Sequence, residues 1–468
     1  MTRCLLIVFI CYSCLAGCTA VESVTDWVGS DEDNTQPPTP LTEINTRAEI
    51  LELWERDVGK GSDDKFLKLT PTLLGDRIFV ANNDGDLKAI DALSGKVIWD
   101  KDLDKQISGG PGANNNLVIA GTSEGEVITV NSETGNILWE ARVSSEILAA
   151  PQTENNIVVV RTIDGKIFGL NAENGKKLWV YDRTVPVLTL RGTSAPVIAE
   201  GLVIAGFDGG RLSAIALDTG KLVWETRVAV GSGRSELERM VDIDAEPLVV
   251  DGIIYVATYQ GRIAAVDLDS GNILWTRDIS SYAGLGVDTR NVYVTDDNSH
   301  VWALDRISGN SIWKQDKLEA RTVTAPAPVN ELVVVGDIEG YLHWLDKTSG
   351  QFVARTKISS QKFIAPPISA GDKVFAYSSD GTLGAYTNHP LAEVTQQTEN
   401  IEPEQSGQVK VENGQDIEVE EDNASKQPDQ ITEEVTEKPA DSEETEDEKG
   451  GIWSRVLDIF SGSDDEEE

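Results

Sequence analysis

The sequence predicts an all-β fold: an eight-bladed β-propeller whose ring is closed by the N-terminal strand, followed by a disordered acidic C-terminal tail. Three observations predict it. A unit of about forty residues recurs eight times, two fixed intervals lie inside the unit, and the two ends of the repeat region carry complementary fragments of one unit.

The unit is plainest at 151–179, PQTENNIVVVRTIDGKIFGLNAENGKKLW, which reads as three short strands and two turns. Ile157 to Val160 is apolar and rich in β-branched residues. Asp164-Gly165 is a turn dipeptide. Ile167, Gly169 and Asn171 alternate with Phe168 and Leu170, and Asn174-Gly175 marks a second turn before Leu178-Trp179. Such a piece cannot bury its own apolar face, so it needs copies beside it.

Fourteen residues separate Pro151 from Gly165, and the same interval joins Pro71 to Gly85, Pro111 to Gly125, Pro196 to Gly210, Pro247 to Gly261, Pro326 to Gly340 and Pro367 to Gly381. One copy has Leu285 and Ser299 at these places. Ten residues on comes a second glycine, Gly95 in the first copy and Gly350 in the seventh, and four further on a tryptophan. The tryptophans are Trp99, Trp139, Trp179, Trp224, Trp275 and Trp313, with Ala354 in the seventh copy. One tryptophan per repeat at one register is what packing between blades requires, although tryptophans also bind sugars and line cofactor sites. The glycines suit turns that need positive φ. Asp91, Asp267, Asp305 and Asp346 end the strand before the second turn, where they are expected to hold the turn by hydrogen bonds.

Taken in order, the chain opens with an export signal at 1–17. Arg3 supplies the positive end, and Leu5 to Cys14 is apolar but too short to span a bilayer stably. Leu15-Ala16-Gly17-Cys18 resembles the bacterial lipobox, which makes Cys18 the candidate lipidation site; ordinary signal cleavage is the alternative. Several acyl chains on Cys18 would anchor firmly, and Thr19, not aspartate, follows it, which in lipoprotein sorting favours the outer membrane. All four cysteines, Cys4, Cys11, Cys14 and Cys18, lie in this segment, so the mature chain holds no internal disulfide. Residues 18–48, with Asp31-Glu32-Asp33 and Pro37-Pro38-Thr39-Pro40, read as a lipidated flexible tether spanning roughly 30 Å.

The propeller is expected over 49–388. Trp54, in EILELWERDVG, is a tryptophan strand without the rest of its unit, and the copy around Gly381 stops at Tyr386 without its tryptophan strand. Joined, they complete one blade and leave the sheet no open end. The tail, 389–468, is of another character: from residue 391 it holds 26 Asp plus Glu against 5 Lys plus Arg, a net of −21 within the chain's −39. That composition predicts disorder. Near its end Ile452, Trp453, Val456, Leu457 and Phe460 recur at helical spacing, a short amphipathic segment over 452–460. The acidic balance argues against nucleic acid or anionic lipid as a general partner.

Departures from the repeat carry the candidate site. Trp99 to Pro111 and Trp139 to Pro151 each span 12 residues, but Trp179 to Pro196 spans 17 and Trp224 to Pro247 spans 23. Two neighbouring connections are extended, and in a propeller both emerge on one face. The first carries Pro186 to Gly192, with Leu188, Leu190 and Arg191; the second carries Gly231 to Asp244, with Asp242 and Asp244 near its end. Apolar anchors and both signs of charge on loops held by a rigid scaffold suit a protein-binding surface. Mutual packing through Arg–Asp pairs is the other reading. The histidines His300, His343 and His389 have no metal-ligand spacing, and neither a phosphate-cradling loop nor a nucleophile elbow appears. No catalytic, cofactor or metal residues are assigned.

The pattern A-P…D-G-x-x-x-A-h-D-x-x-T-G-x-x-x-W resembles the tryptophan-docking repeat of pyrroloquinoline-quinone dehydrogenases and their non-enzymatic relatives. With the lipobox, the chain resembles the propeller lipoproteins of the outer-membrane β-barrel assembly (Bam) machinery. The resemblance covers residues 4–388 and is most specific in LTLRGTSAP (188–196), SELERMVDIDAEP (235–247) and GDIEGYLHWLD (336–346). It implies a non-enzymatic scaffold without cofactor, lipid-anchored at the periplasmic face of the outer membrane, that helps β-barrel proteins fold and insert. In that family the inserted connections contact BamA, the barrel-inserting subunit, and the matching positions here are Leu188, Leu190, Arg191, Asp242 and Asp244. Unfolded outer-membrane proteins are the expected clients, and strand addition to blade edges is one way to hold them. The acidic tail departs from the family pattern. Rival readings are a quinoprotein dehydrogenase, whose relatives are longer and carry an adjacent cysteine pair absent here, and an envelope sugar- or peptide-binding propeller.

Overall fold

The computed structural model describes residues 36–62, 65, 67–114, 116–183, 194–235 and 238–390. Cys18, Leu188, Leu190, Arg191 and the acidic tail from residue 391, with its 452–460 segment, lie outside the described residues. Those described form eight four-stranded antiparallel sheets, each of consecutive strands except the last. Blades 1 to 7 begin at Thr72, Ile107, Gln152, Val197, Leu248, Gly284 and Ala327. Blade 8 takes three strands from Ile368 to Pro390 and its outermost from Ala48–Asp57, which pairs antiparallel with Thr382–Pro390. The ring closes as the split repeat requires.

The blades are four-stranded, as an eight-bladed propeller requires, with one strand more than the three legible within 151–179. In blade 3, Gln152–Glu154 precedes Ile157–Arg161, Ile167–Asn171 and Lys177–Tyr181. The first is only three residues, too short to show an alternation, and it is set by the proline and the two-residue turn after it. The second and third strands are buried almost throughout, because neighbouring blades cover both of their faces.

The tryptophans are the joints between blades. Trp54 is buried, and its indole lies so close to Gly95 of the next blade that a Cβ there would sit 2.6 Å from the ring; Gly95 also has φ +67°. Trp99 meets Gly135 and Trp139 meets Gly175 in the same way. Each indole N–H then donates to a carbonyl of the next blade: Trp54 to Ala92, Trp99 to Ser132, Trp139 to Ala172, Trp179 to Leu217, Trp224 to Leu268, Trp275 to Arg306 and Trp313 to Lys347, at 2.7–3.1 Å. The buried indole therefore keeps a partner for its polar atom. Asp91, Asp267, Asp305 and Asp346 accept from the amides of Ser94, Ser270, Ser308 and Ser349, as the turn reading requires. Ser299, standing where other copies have glycine, takes φ +70°.

One expectation needs correction. The end of the segment read as a tether is held against blades 6 and 7. Thr39 N–H donates to Glu319 O at 3.2 Å and Arg47 N–H to Val353 O at 2.8 Å, while Leu41 and Ile44 pack on a core that includes Trp313, Val323 and Phe352. Buried charges complete the clamp. Arg321, 1% exposed, donates to Thr39 O at 2.9 Å and pairs with Asp337 at 2.7 Å. Arg355 donates to Thr42 O at 3.0 Å and to His343 Nδ1 at 3.1 Å, and His343 Nε2 lies 2.8 Å from Asp337 Oδ2. A neutral His343 carrying its proton on Nε2 satisfies both contacts, and burial pushes its pKa down. These contacts join residues about 300 positions apart, which no local pattern reveals.

Candidate protein-binding face

The connections between blades share one face of the ring with the turn between the second and third strands of each blade, the first turn of the repeat. Ser144 Oγ, in the connection after blade 2, donates to Asp164 in the first turn of blade 3 at 2.8 Å, and Ser359 donates to Asp380 at 2.7 Å. The inserted connections follow blades 3 and 4. Their C-terminal ends touch, with Ser194 Oγ donating to Ala245 O at 3.0 Å.

The second insertion is held by its own residues. Ser235 and Glu238 form a reciprocal box: Glu238 N–H donates to Ser235 Oγ at 3.1 Å, and the amides of Arg234 and Ser235 donate to Glu238 Oε2 at 2.6 and 3.2 Å. The S-x-x-E spacing is its sequence signal, which the pattern reading passed over. Met240, Val241 and Ile243 turn inward, and Ile243 fills the space that Gly206 leaves, since a Cβ there would lie 2.1 Å from its methyl group. Val230, 66% exposed, and the side chains of Arg234, Glu238 and Arg239 face solvent.

The two predicted aspartates do not join that surface. Asp242 is 2% exposed. Its Oδ1 accepts from Gly209 N–H at 3.1 Å, its carbonyl accepts from Tyr259 N–H at 2.8 Å, and its backbone bridges to Asp208. Asp244 is half-buried, with a buried Oδ2 that has no hydrogen-bond partner among the described residues. Charged residues in loops ordinarily face water, so the sequence reading placed them outward. Here the apolar residues between them and around them draw that stretch into the base of the loop.

Among the described residues, Asp208, Asp242 and Asp244 surround Arg161, with Arg183 and Lys68 close by. Arg161 ends a strand of blade 3, is 8% exposed, and donates to Ser194 O at 2.9 Å. Its guanidinium lies 5.3 Å from the Phe207 ring centre, and that of Arg183 lies 5.1 Å from it. Burial, then the Asp242 charge, raises the Asp208 carboxyl to about 6. Burial and Asp242 raise Asp244 to about 7, against the opposing charges of Arg161 and Lys68. The sequence reading missed Arg161. Its signal was visible: the equivalent residue elsewhere is Ala81, Gly121, Gly206, Ala257, Thr295, Gly336 or Tyr377, none of them charged.

An axial cavity of about 370 Å³ lies where the inner ends of the blades meet, walled by Leu148, Pro326, Pro328 and Pro366, with Lys68, Asp244 and Glu246 among its polar groups. Lys68 reaches from the entry to blade 1 across to the entry of blade 6, donating to Ala283 O at 3.2 Å. Among the described residues no cluster of three or more His, Cys, Asp or Glu side chains is arranged to hold a metal ion.

Comparison with known proteins places this geometry in a family. A family model described as "Outer membrane protein assembly factor BamB" matches residues 83–315. The chain is 50% identical over 351 residues to the outer membrane protein assembly factor BamB of Pseudomonas aeruginosa, covering 75% of this chain and 92% of that protein. It is 35% identical over 383 residues to the protein of the same name from Escherichia coli, covering 80% and 96%. The crystal structure of BamB from Moraxella catarrhalis superposes with a TM-score of 0.66 at 27% identity, over 72% of this chain and all of that one. A quinohemoprotein alcohol dehydrogenase from Comamonas testosteroni matches with a TM-score of 0.59 but 12% identity, over 72% of this chain and 76% of that one, a likeness of fold alone. On identity sustained over nearly the whole of each curated relative, the chain belongs to the BamB family of outer membrane protein assembly factors.

Proposed function

We propose that this chain is a non-enzymatic scaffold of the machinery that folds and inserts outer-membrane β-barrel proteins. The observation that carries this reading is the 50% identity to an assembly factor over 92% of that relative. Residues 1–17 are the export signal, and lipids on Cys18 hold the protein to the periplasmic face of the outer membrane. BamA is its direct partner within the Bam complex, and unfolded outer-membrane proteins are the clients. Leu188, Leu190 and Arg191 on the first inserted connection meet BamA. Asp242 contributes from within, by accepting from Gly209 N–H at the base of the second connection, and Asp244 lies beside it. The inward turn of both aspartates and the contact between Ser194 and Ala245 support a face preassembled for one partner.

Affinity purification of the full chain from detergent-solubilised envelopes tests this reading. BamA should be recovered in roughly stoichiometric amount. Its absence, with the bait intact and membrane-bound, would refute the proposal.

A further inference from the structure

We propose that Arg161 is the positioning residue of the two inserted connections, setting their placement relative to each other without reaching the surface they present. Two contacts and the charges around it support this. Its guanidinium donates to Ser194 O at the end of the first insertion. It lies among Asp208, Asp242 and Asp244, two of which belong to the second insertion. It stacks over Phe207, at the end of a blade 4 strand that lies between the two insertions in sequence.

The chemistry explains why a guanidinium stands here. Burial and the neighbouring Asp242 charge both disfavour ionisation of Asp208 and Asp244. A planar cation with several donors offsets them and still has an N–H free for a carbonyl, which a point charge on a flexible stem does less well. Arg183 is committed to Glu225, and Lys68 to Ala283 O across the axis. Arg161 donates to the end of the first insertion and its charge opposes those of Asp242 and Asp244 in the second. Losing it leaves the carboxylates to repel one another, and the release that costs least is outward movement of the second connection.

The test uses the full-length chain and amide hydrogen exchange, read as protection factors so that intrinsic pH effects cancel. The wild-type amides of Gly209 and Tyr259, both bonded to Asp242, report on the joint. In Arg161→Met their protection should fall at least tenfold at pH 8, along with that of 194–195 and 238–245, while blade 7 is unchanged. At pH 5, where Asp208 and Asp244 are largely protonated, the loss should be much smaller. A side chain that merely filled space would show the same loss at both pH values. Arg161→Lys should recover much of the protection.

Unchanged protection in Arg161→Met, or a loss independent of pH, overturns the proposal. If that variant does not fold, Arg161→Met with Asp208→Asn and Asp244→Asn removes the repulsion and should restore most of the protection of Gly209 and Tyr259 at pH 8; protection still at least tenfold below wild type would overturn the proposal. The role in BamA binding rests on the proposed function and is read separately, as at least a tenfold loss of BamA capture. Released connections with unchanged capture would sustain Arg161 as the positioning residue and count against these loops as the BamA-binding face.

Discussion

Trp344 and Ala354 face each other across two strands of blade 7, and they reverse the arrangement of the other blades. Elsewhere the third strand carries the small residue and the outermost strand the tryptophan: Ala89 opposite Trp99, Thr129 opposite Trp139, Gly169 opposite Trp179, Ala385 opposite Trp54. The outer tryptophan of one blade needs the second turn of the next blade to receive it. Blade 8 has no such turn, because its outermost strand is the N-terminal one and is not joined to its neighbour. The indole has moved inward, where Trp344 is fully buried against Val334, Phe363, Val374 and Tyr386.

Trp344→Ala should therefore cost about 3–5 kcal/mol, the loss of a large buried side chain and the cavity it leaves. Exchanging the pair, Trp344→Ala with Ala354→Trp, should not restore stability, since the new indole has no turn glycine to meet. Urea unfolding midpoints measure this. A midpoint for the exchanged pair equal to wild type would contradict the explanation.

Ring closure gives a second expectation. Deleting residues 19–35 should leave the melting temperature unchanged. Extending the deletion through Arg47 removes the contacts of Thr39, Leu41 and Ile44 and should lower it. Extending it through Gly59 removes the Trp54 strand and should abolish the cooperative transition, leaving blade 8 three-stranded. Equal melting of the first and third truncations would defeat closure by the N-terminal strand.

The clamp on residues 39–47 should weaken in acid. The His343 pKa lies below its ordinary value because the ring is buried, so its contribution is present above about pH 6.5 and is lost as pH falls toward the lowered value. Protonation puts a proton on Nδ1, which ends the hydrogen bond from Arg355 and sets two cations together, with Arg321 also near and Asp337 alone opposing. Limited proteolysis between Thr39 and Arg47 should be faster at pH 5 than at pH 7.5 relative to an unfolded peptide standard, and His343→Gln should flatten the difference. The Asp208–Asp244 joint has the opposite sign. Its raised carboxyls favour the folded form below about pH 4, and that contribution is lost as pH rises through about 6 and 7. Asp208→Asn should thus protect Gly209 and Tyr259 at pH 8 and change little at pH 5.

Lipid anchoring predicts that Cys18→Ser leaves the ring folded and the processed protein soluble in the periplasm. Mature mutant that still sediments with membranes after a high-salt wash would refute an anchor at Cys18.

The ring was legible because its information is periodic: each Pro, Gly and Trp repeats at a fixed interval, so eight noisy copies reinforce one another. The split blade was legible for the same reason, from Trp54 and Tyr386. Trp344 was not read as the displaced indole, because the exchange appears only when strands are paired. The clamp on Thr39 and Thr42 was missed because proline-rich, polar segments resemble linkers whether or not they are docked. At the candidate face, the extra length of two connections was plain, but burial was not. Asp242 looks like a surface charge in DIDAEP until Gly206 is seen to admit Ile243 and the Gly209 N–H to meet the carboxylate.

The measurement that bears most directly on the central claim is the affinity of the purified full chain for BamA, with and without Leu190→Ala and Arg191→Ala together. Buried interface anchors typically cost about 2 kcal/mol or more on truncation, roughly thirtyfold in affinity. The double variant should bind BamA about thirtyfold more weakly and melt at the wild-type temperature, while Lys88→Ala, in the third strand of blade 1, binds normally. Wild-type affinity in the double variant, with its melting unchanged, would contradict the assignment of this face to BamA.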